Sequence, residues 1–176
     1  MKYLSLLTAF LLLAATAAAE RPVVNLPPAM RHRNWTGPGG PTDGSCVFAS
    51  IVYLLDWQGQ HRLAEYVRTH YSGGEDYANL AAKLNHAGIR FAYTTGAKDV
   101  KFLEWAVKTH RGCGVAVQNR AHMICLVDLD SRSAILWDNN VPGKYYTVTR
   151  AAFLKDWLSS GSWAVSPVYT PSAPIK

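Results

Sequence analysis

Apolar residues in the first half of the chain recur with a helical period. Beyond residue 45, Val47, Ile51 and the Leu54-Leu55 pair follow one another at spacings of three and four positions, which is the pattern of a buried helix face. We expect this helix to begin near Cys46 and to end between residues 57 and 59. Three further segments show the same spacing and are predicted helices: 60–70, 75–86 and 99–110.

The period changes from helical to strand-like beyond residue 112. Segments 114–117 and 123–130, the second continuously apolar over residues 123–127, predict a buried hairpin, with Gln118-Asn119-Arg120-Ala121 as its turn. The remaining predicted elements are strands at 89–94, 134–137, 145–148 and 162–168 and a last helix at 150–158. Helices first and antiparallel strands afterwards define the α+β class. A cleft between the two halves is the expected place for chemistry.

The N-terminus has the pattern of a secretory signal peptide. Lys2 supplies a positive start, residues 4–13 form an apolar run, and Ala17-Ala18-Ala19 is a small-residue cleavage site. The 176 residues are enough for one domain with a sizeable core. We therefore expect an exported protein, secreted or periplasmic, without stable membrane insertion. The predicted divisions are a signal peptide at 1–19, an extended Pro/Gly-rich lead-in at 20–41, one domain at 42–170 and a tail at 171–176.

Composition excludes several classes of partner and cofactor. The formal net charge of +6 is modest and its basic residues are scattered, so neither a nucleic-acid arm nor an aromatic-basic single-strand surface is expected. The cysteine and histidine spacings make no zinc cluster. No phosphate-binding glycine loop precedes a helix with lysine. We expect no metal and no cofactor.

Cys46 stands where a glycine- and proline-rich loop meets the first predicted helix. Asp43 and Ser45 are suitable N-cap residues, so Cys46 falls in or beside the first turn, where unpaired N–H groups and the helix dipole favour a thiolate. The alternative is a small, buried core residue. Cys113 and Cys125 flank the predicted hairpin, and a disulfide between them would leave Cys46 as the free thiol of an exported protein.

A thiol nucleophile needs a base, and the base needs an orienting group. His122 opens a continuously apolar strand, whereas the other histidines lie in the lead-in or on predicted helices. Asp138 ends the next strand. Because the start of one strand lies beside the end of its antiparallel neighbour, Asp138 can accept a hydrogen bond from His122. Asn139 is an alternative orienter, and residues 138–140 are equally compatible with a simple turn.

These residues together resemble the papain-like cysteine peptidases, most closely the compact bacterial, C39-like branch that processes bacteriocin leaders. Besides the loop before the cysteine, three motifs carry the resemblance: Ala121-His122-Met123, Trp137-Asp138-Asn139 and Gly161-Ser162-Trp163-Ala164-Val165. The resemblance implies a papain-like fold with the cysteine helix packed against an antiparallel sheet. It also implies Cys46 as nucleophile, His122 as general base and acid, Asp138 as orienter, and a peptide or protein substrate.

One feature of that family is missing. The family usually carries a glutamine shortly before the cysteine, which completes the oxyanion hole, but no glutamine lies between residues 20 and 45. The Cys46 N–H remains a donor, and Thr42, Ser45 or Asn34 could supply the second. Three functions therefore stay open: a thiol peptidase, a transglutaminase-like acyl transferase using the same three residues, and a non-catalytic binding module that retains the fold.

Overall fold

The structure is a computed structural model that describes residues 33–35 and 44–169. Within these ranges the chain forms five helices: α1 (Cys46–Trp57), α2 (His61–His70), α3 (Tyr77–His86), α4 (Val100–Lys108) and α5 (Arg150–Ser159). It also forms six strands: β1 (Phe91–Thr94), β2 (Cys113–Val117), β3 (His122–Leu129), β4 (Ser133–Trp137), β5 (Tyr145–Thr149) and β6 (Ala164–Pro167). The predicted signal peptide, most of the lead-in and the tail lie outside the described residues, so those boundaries stay predictions.

Each helix and strand predicted over the described residues is present, with ends that differ by a few positions. The differences have local causes. The helix predicted from residue 75 begins at Tyr77 because Asp76 caps it, accepting hydrogen bonds from the N–H groups of Ala78 at 2.8 Å and Asn79 at 2.9 Å. The next helix ends at Lys108, and two residues later His110 takes a left-handed φ of 57°.

The strands form one antiparallel sheet in the order β1-β6-β2-β3-β4-β5. The last strand, β6, inserts between β1 and β2, so Val165 pairs with Tyr93 on one side and with Gly114 on the other. β2 to β5 follow one another through short connections. Neighbouring strands on the β5 side of the sheet are therefore close in sequence, whereas those on the β1 side are far apart in sequence.

Helices cover both faces of the sheet. On one face, residues of α1 to α3 form a core with Ala116, Met123 and Val165. On the other face, residues of α4 and α5 form a core with Val115 and Leu126. The structure thus belongs to the predicted α+β class. Although α4 belongs to the helical half of the chain, it lies on the opposite face from α1.

Helix α1 is more deeply buried than its apolar stripe suggests. Ten of its twelve residues are buried, because it lies against β2, β3 and β6 and is covered by α2. A helix that is apolar around its whole circumference is typical of such a central position. Full burial of each large apolar side chain contributes about 1.5–3 kcal/mol. The turn that carries Cys46 is therefore fixed by the core of the protein.

Candidate active site

Cys46 is the first residue of α1, and the residue before it ties this turn to neighbouring segments. Ser45 occupies the N-cap position, as predicted, but its side chain makes no hydrogen bond to the helix. Asp43, the other cap candidate, lies outside the described residues. The Ser45 Oγ instead accepts a hydrogen bond from the Gly73 N–H at 2.9 Å, and its own N–H donates to the Trp35 carbonyl at 2.8 Å. The loop before α3 and the segment 33–35 are thereby held beside Cys46.

His122 and Asp138 meet at one edge of the sheet. β3 and β4 pair so that Cys125 lies opposite Trp137, which brings the start of one strand beside the end of the other, as predicted. His122 Nε2 lies 2.9 Å from Asp138 Oδ1. The same carboxylate oxygen accepts a hydrogen bond from the Asn140 N–H at 2.8 Å. The imidazole is therefore held in one orientation by a carboxylate that is itself fixed.

The Cys46 thiol makes a hydrogen bond with the His122 ring. Because Nε2 faces Asp138, Nδ1 is the ring nitrogen left for the sulfur. His122 is only 7% exposed, and Asp138 is 22% exposed, whereas Cys46 is partly exposed. The structure thus brings the three side chains together in the order thiol, imidazole, carboxylate.

The surroundings of Cys46 favour its thiolate form. Burial by itself raises the pKa of this thiol. The hydrogen bond with His122, the N–H of Met123, the positive charge of His122 and the N–H of Val47 together outweigh burial, and the pKa of Cys46 falls below its ordinary value of 9.0. A cysteine with a lowered pKa and partial exposure has the properties of a reactive thiol.

The other two groups shift in the complementary directions. Burial lowers the pKa of His122, but its hydrogen bonds to Asp138 and Cys46 and the negative charges of both raise the pKa to about 9. Burial raises the pKa of Asp138, while the His122 hydrogen bond, the Asn140 N–H and the His122 charge bring the pKa below its ordinary value. All three shifts therefore favour a thiolate beside an imidazolium, supported by a carboxylate.

Asn139 is not the alternative orienter considered from the sequence. Its fully buried Nδ2 lies 2.8 Å from the Met123 carbonyl oxygen, 3.2 Å from the Cys46 carbonyl oxygen and 3.2 Å from Ser50 Oγ. These contacts point away from the His122 ring and connect the first turn of α1 to the start of β3. Sequence reasoning missed this linking role, because the asparagine offers only the sequence pattern of a turn.

The candidate oxyanion donors differ in how well their positions suit that role. Ser45 is fully buried and its hydroxyl accepts from Gly73, which does not suit a group facing a substrate carbonyl. Asn34 lies against the loop before Cys46, since a Cβ at Gly44 would be 3.1 Å from Asn34 Nδ2. That Nδ2 donates to Asn140 Oδ1 at 3.2 Å. Thr42 lies outside the described residues, so its role stays a prediction.

The other two cysteines do not form the disulfide considered above, and all three cysteines are free. Cys113 pairs with Leu126, and Cys125 pairs with Gly114. Paired residues share a face of the sheet, whereas neighbours along a strand face opposite sides. Cys113 and Cys125 therefore point to opposite faces. Burial raises the pKa of both thiols, so Cys46 is the accessible cysteine without any disulfide.

The described residues include neither a metal-binding cluster nor a membrane-spanning helix. Within residues 33–35 and 44–169, no group of three or more His, Cys, Asp or Glu side chains is placed to hold a metal ion. No helix in this same part of the chain combines the length and apolar character needed to cross a membrane.

Comparison with known proteins gives similarity in structure alone. No family model and no curated protein matches the chain. A candidate C39-like peptidase from Bacillus anthracis is similar to it with a TM-score of 0.53 and 16% identity, over 73% of this chain and 90% of that one. A double-glycine-motif protease from an AMS/PCAT transporter, in complex with the leader peptide, has a TM-score of 0.49 and 14% identity, over 78% of this chain and 94% of that one. The fold is therefore similar to that of the C39-like peptidase, as the resemblance predicts.

Proposed function

We propose that the protein is an exported cysteine peptidase that cleaves peptide bonds through an acyl-enzyme on Cys46. The observation that carries the proposal is the position of His122, whose ring bridges the Cys46 thiol and the Asp138 carboxylate. The peptidase-type fold agrees with it. A binding module would not need a lowered thiol pKa beside a raised imidazole pKa.

In the first half of the reaction, the Cys46 thiolate attacks the carbonyl carbon of the scissile bond. A C–S bond forms, and the carbonyl electron pair moves to oxygen. The Cys46 N–H, in the first turn of α1, is the donor that we assign to this oxyanion. The His122 imidazolium then gives its proton to the leaving nitrogen, the C–N bond breaks, and a thioester remains on Cys46.

In the second half, water releases the acyl group. The now neutral His122 takes a proton from water, and the hydroxide oxygen attacks the thioester carbon. The C–S bond breaks, the peptide leaves with a new carboxyl group, and the thiolate beside a protonated imidazole is restored. Asp138 holds the ring in the tautomer that this exchange requires, and it stabilises the imidazolium without accepting its proton.

Incubation with peptide mixtures tests the proposal. We expect the mature protein to release new N-termini from peptides in water, detected by mass spectrometry, and the Cys46→Ala variant to release none. The Cys113→Ala variant is the matched control, and it should retain activity. Transfer of the acyl group to an added amine in preference to water would instead indicate the acyl transferase. Absence of both reactions, with Cys46 no more reactive than the buried cysteines, would leave only a binding module.

Export is proposed from residues 1–19 alone. We expect the protein recovered from the periplasm or medium of an expressing bacterium to begin at Glu20. N-terminal sequencing checks this, and recovery of the chain in the cytoplasm with Met1 retained would contradict it.

A further inference from the structure

A cleft that is lined by none of the three reacting side chains takes no part in the chemistry above. It has a volume of about 650 Å³, and it lies between the start of α3, with Gly74 and Asp76, and the side chains of Arg120 and Trp163. One wall adjoins Gly73, whose N–H donates a hydrogen bond to the Oγ of Ser45, the residue before Cys46. The other wall holds Arg120, two residues before His122 in the chain. The cleft is thus linked to the candidate site through the Gly73–Ser45 hydrogen bond on one side and through the chain from Arg120 to His122 on the other.

The turn that carries Arg120 has an unusual backbone. Gln118, Asn119 and Arg120 have φ values of 55°, 53° and 71°, and consecutive left-handed residues other than glycine are unfavourable. The turn is held by two hydrogen bonds, from the Gln118 N–H to Asp156 Oδ1 at 2.8 Å and from the Ala121 N–H to the Gln118 carbonyl at 3.1 Å. Strain of this kind persists only where the surrounding structure fixes it, often at sites of function.

The Arg120 guanidinium lies directly against Gly161. A Cβ on Gly161 would lie 2.6 Å from Arg120 Nη2 and 2.7 Å from Nε, so a larger residue would displace the guanidinium. Gly161 also has a φ of 85°, which favours glycine. The positions of both residues are thus coupled, and they keep the guanidinium at the wall of the cleft.

The acidic groups of the cleft already have partners. The Glu75 carboxylate pairs with Lys83, and the Asp76 carboxylate accepts the hydrogen bonds that cap α3. Among the described residues, no carboxylate forms an ion pair with Arg120. Nearby, Trp163 lines the cleft and Tyr77 is 45% exposed. The cleft therefore offers the Arg120 guanidinium, without a carboxylate partner in the described part of the chain, together with the aromatic side chains of Tyr77 and Trp163.

We propose that this cleft is a substrate subsite in which Arg120 binds a carboxylate of the peptide. The inference rests on the proposed peptidase function and names the chemistry of its substrate. A guanidinium presents its N–H groups as a planar fork that matches a carboxylate with two parallel hydrogen bonds. The carboxylate can belong to an aspartate or glutamate side chain or to the C-terminus of the peptide, and both share this geometry.

Peptide binding to the inert Cys46→Ala protein tests the subsite. Dissociation constants are measured by fluorescence anisotropy for labelled peptides with a blocked C-terminus, in which glutamate or glutamine is moved through every position. The all-glutamine peptide with a free C-terminus is the third probe. We expect a carboxylate to tighten binding about 10-fold to 100-fold over the neutral peptide, as for a hydrogen-bonded charge. The tighter probe identifies the side chain or the terminus as its source.

A second substitution, added to the Cys46→Ala protein, tests whether Arg120 is the group that prefers a carboxylate. Arg120→Met should abolish the preference, and Arg120→Lys should keep part of it because the charge remains without the fork. Arg62→Met changes an exposed arginine of α2 and should keep all of it. Thermal unfolding of each variant reports whether the turn is intact, and Arg120→Lys decides if the methionine variant does not fold.

Equal affinity for charged and neutral peptides, or a preference that persists in Arg120→Met, would overturn the subsite. The result is separable from the proposed function, because binding is measured on a protein that cannot react. A charge preference without hydrolysis by the wild type would contradict the peptidase and retain the subsite. Hydrolysis without any charge preference would contradict the subsite alone.

Discussion

The three cysteines differ in environment although their side chains are identical. Cys113 and Cys125 lie inside the sheet, where burial raises the pKa of both thiols. Cys46 lies at the start of α1, where an imidazole and two backbone N–H groups lower its pKa despite partial burial. Reactivity is therefore determined by which hydrogen-bond donors face the sulfur. The predictions below test this contrast, beginning with the largest expected effect.

Replacing His122 by alanine should remove most of the difference between Cys46 and an ordinary thiol. The variant loses both the hydrogen bond and the positive charge that lower the Cys46 pKa, and it has no group to protonate the leaving nitrogen. We expect peptide hydrolysis to fall about 10²-fold to 10⁴-fold, the usual contribution of a general acid-base residue. Steady-state kinetics measure the loss. His110→Ala, on an exposed histidine, is the control, and an equal loss there would contradict the assignment.

Replacing Asp138 by asparagine should have a smaller effect on rate and a distinct effect on pH dependence. The carboxylate raises the His122 pKa to about 9, so activity should decline as pH rises through that value and the imidazolium deprotonates. In Asp138→Asn this decline should move to lower pH. We expect kcat/KM at its optimum to fall, though by less than in His122→Ala, because the ring loses only the carboxylate that fixes its tautomer. An unchanged alkaline limb would show that Asp138 does not support the ring.

Replacing Asn139 by alanine should test the link between α1 and β3. The change leaves the Cys46 and Met123 carbonyls without the amide that they share. An unpaired buried polar group typically costs about 1–3 kcal/mol, and we expect a loss of this size in the free energy of unfolding, measured with denaturant. Asn140→Ala, on an exposed neighbour, should cost less. Equal losses in both variants would argue against the link.

Replacing Cys113 by alanine should have the smallest effect. This thiol is fully buried and lies on the face of the sheet covered by α4 and α5, so the change removes packing and no reactive group. We expect a loss of stability of about 1 kcal/mol and unchanged alkylation of Cys46. Mass spectrometry of the alkylated protein checks the second point. Slower labelling of Cys46 in this variant would show that the buried and exposed thiols are coupled.

Local patterns predict the elements and part of the site. The helices follow from periodicity, and the meeting of His122 with Asp138 follows because their strands are consecutive and joined by a tight turn. The register of the hairpin also decides whether Cys113 and Cys125 can form a disulfide. Its turn pairs Val117 with His122, and counting back along this register places Cys113 opposite Leu126, on the other face from Cys125.

Features that depend on distant contacts do not follow from the sequence. The insertion of β6 between β1 and β2 joins segments about 50 residues or more apart, and no local period records it. The Asn139 amide reaches the Cys46 carbonyl across 93 positions. Ser45 stands at the predicted N-cap position, but the sequence does not show that its hydroxyl accepts from the distant Gly73 N–H and not from an N–H of the helix.

The pH dependence of Cys46 alkylation tests the central claim most directly. Iodoacetamide reacts with the thiolate, so the labelling rate of Cys46, followed by mass spectrometry, reports its pKa without any substrate. We predict that the rate in the wild type rises at a pH below the ordinary thiol pKa of 9.0, and that in His122→Ala the rise moves to higher pH. The same rise near pH 9 in both proteins would contradict the claim that His122 activates Cys46.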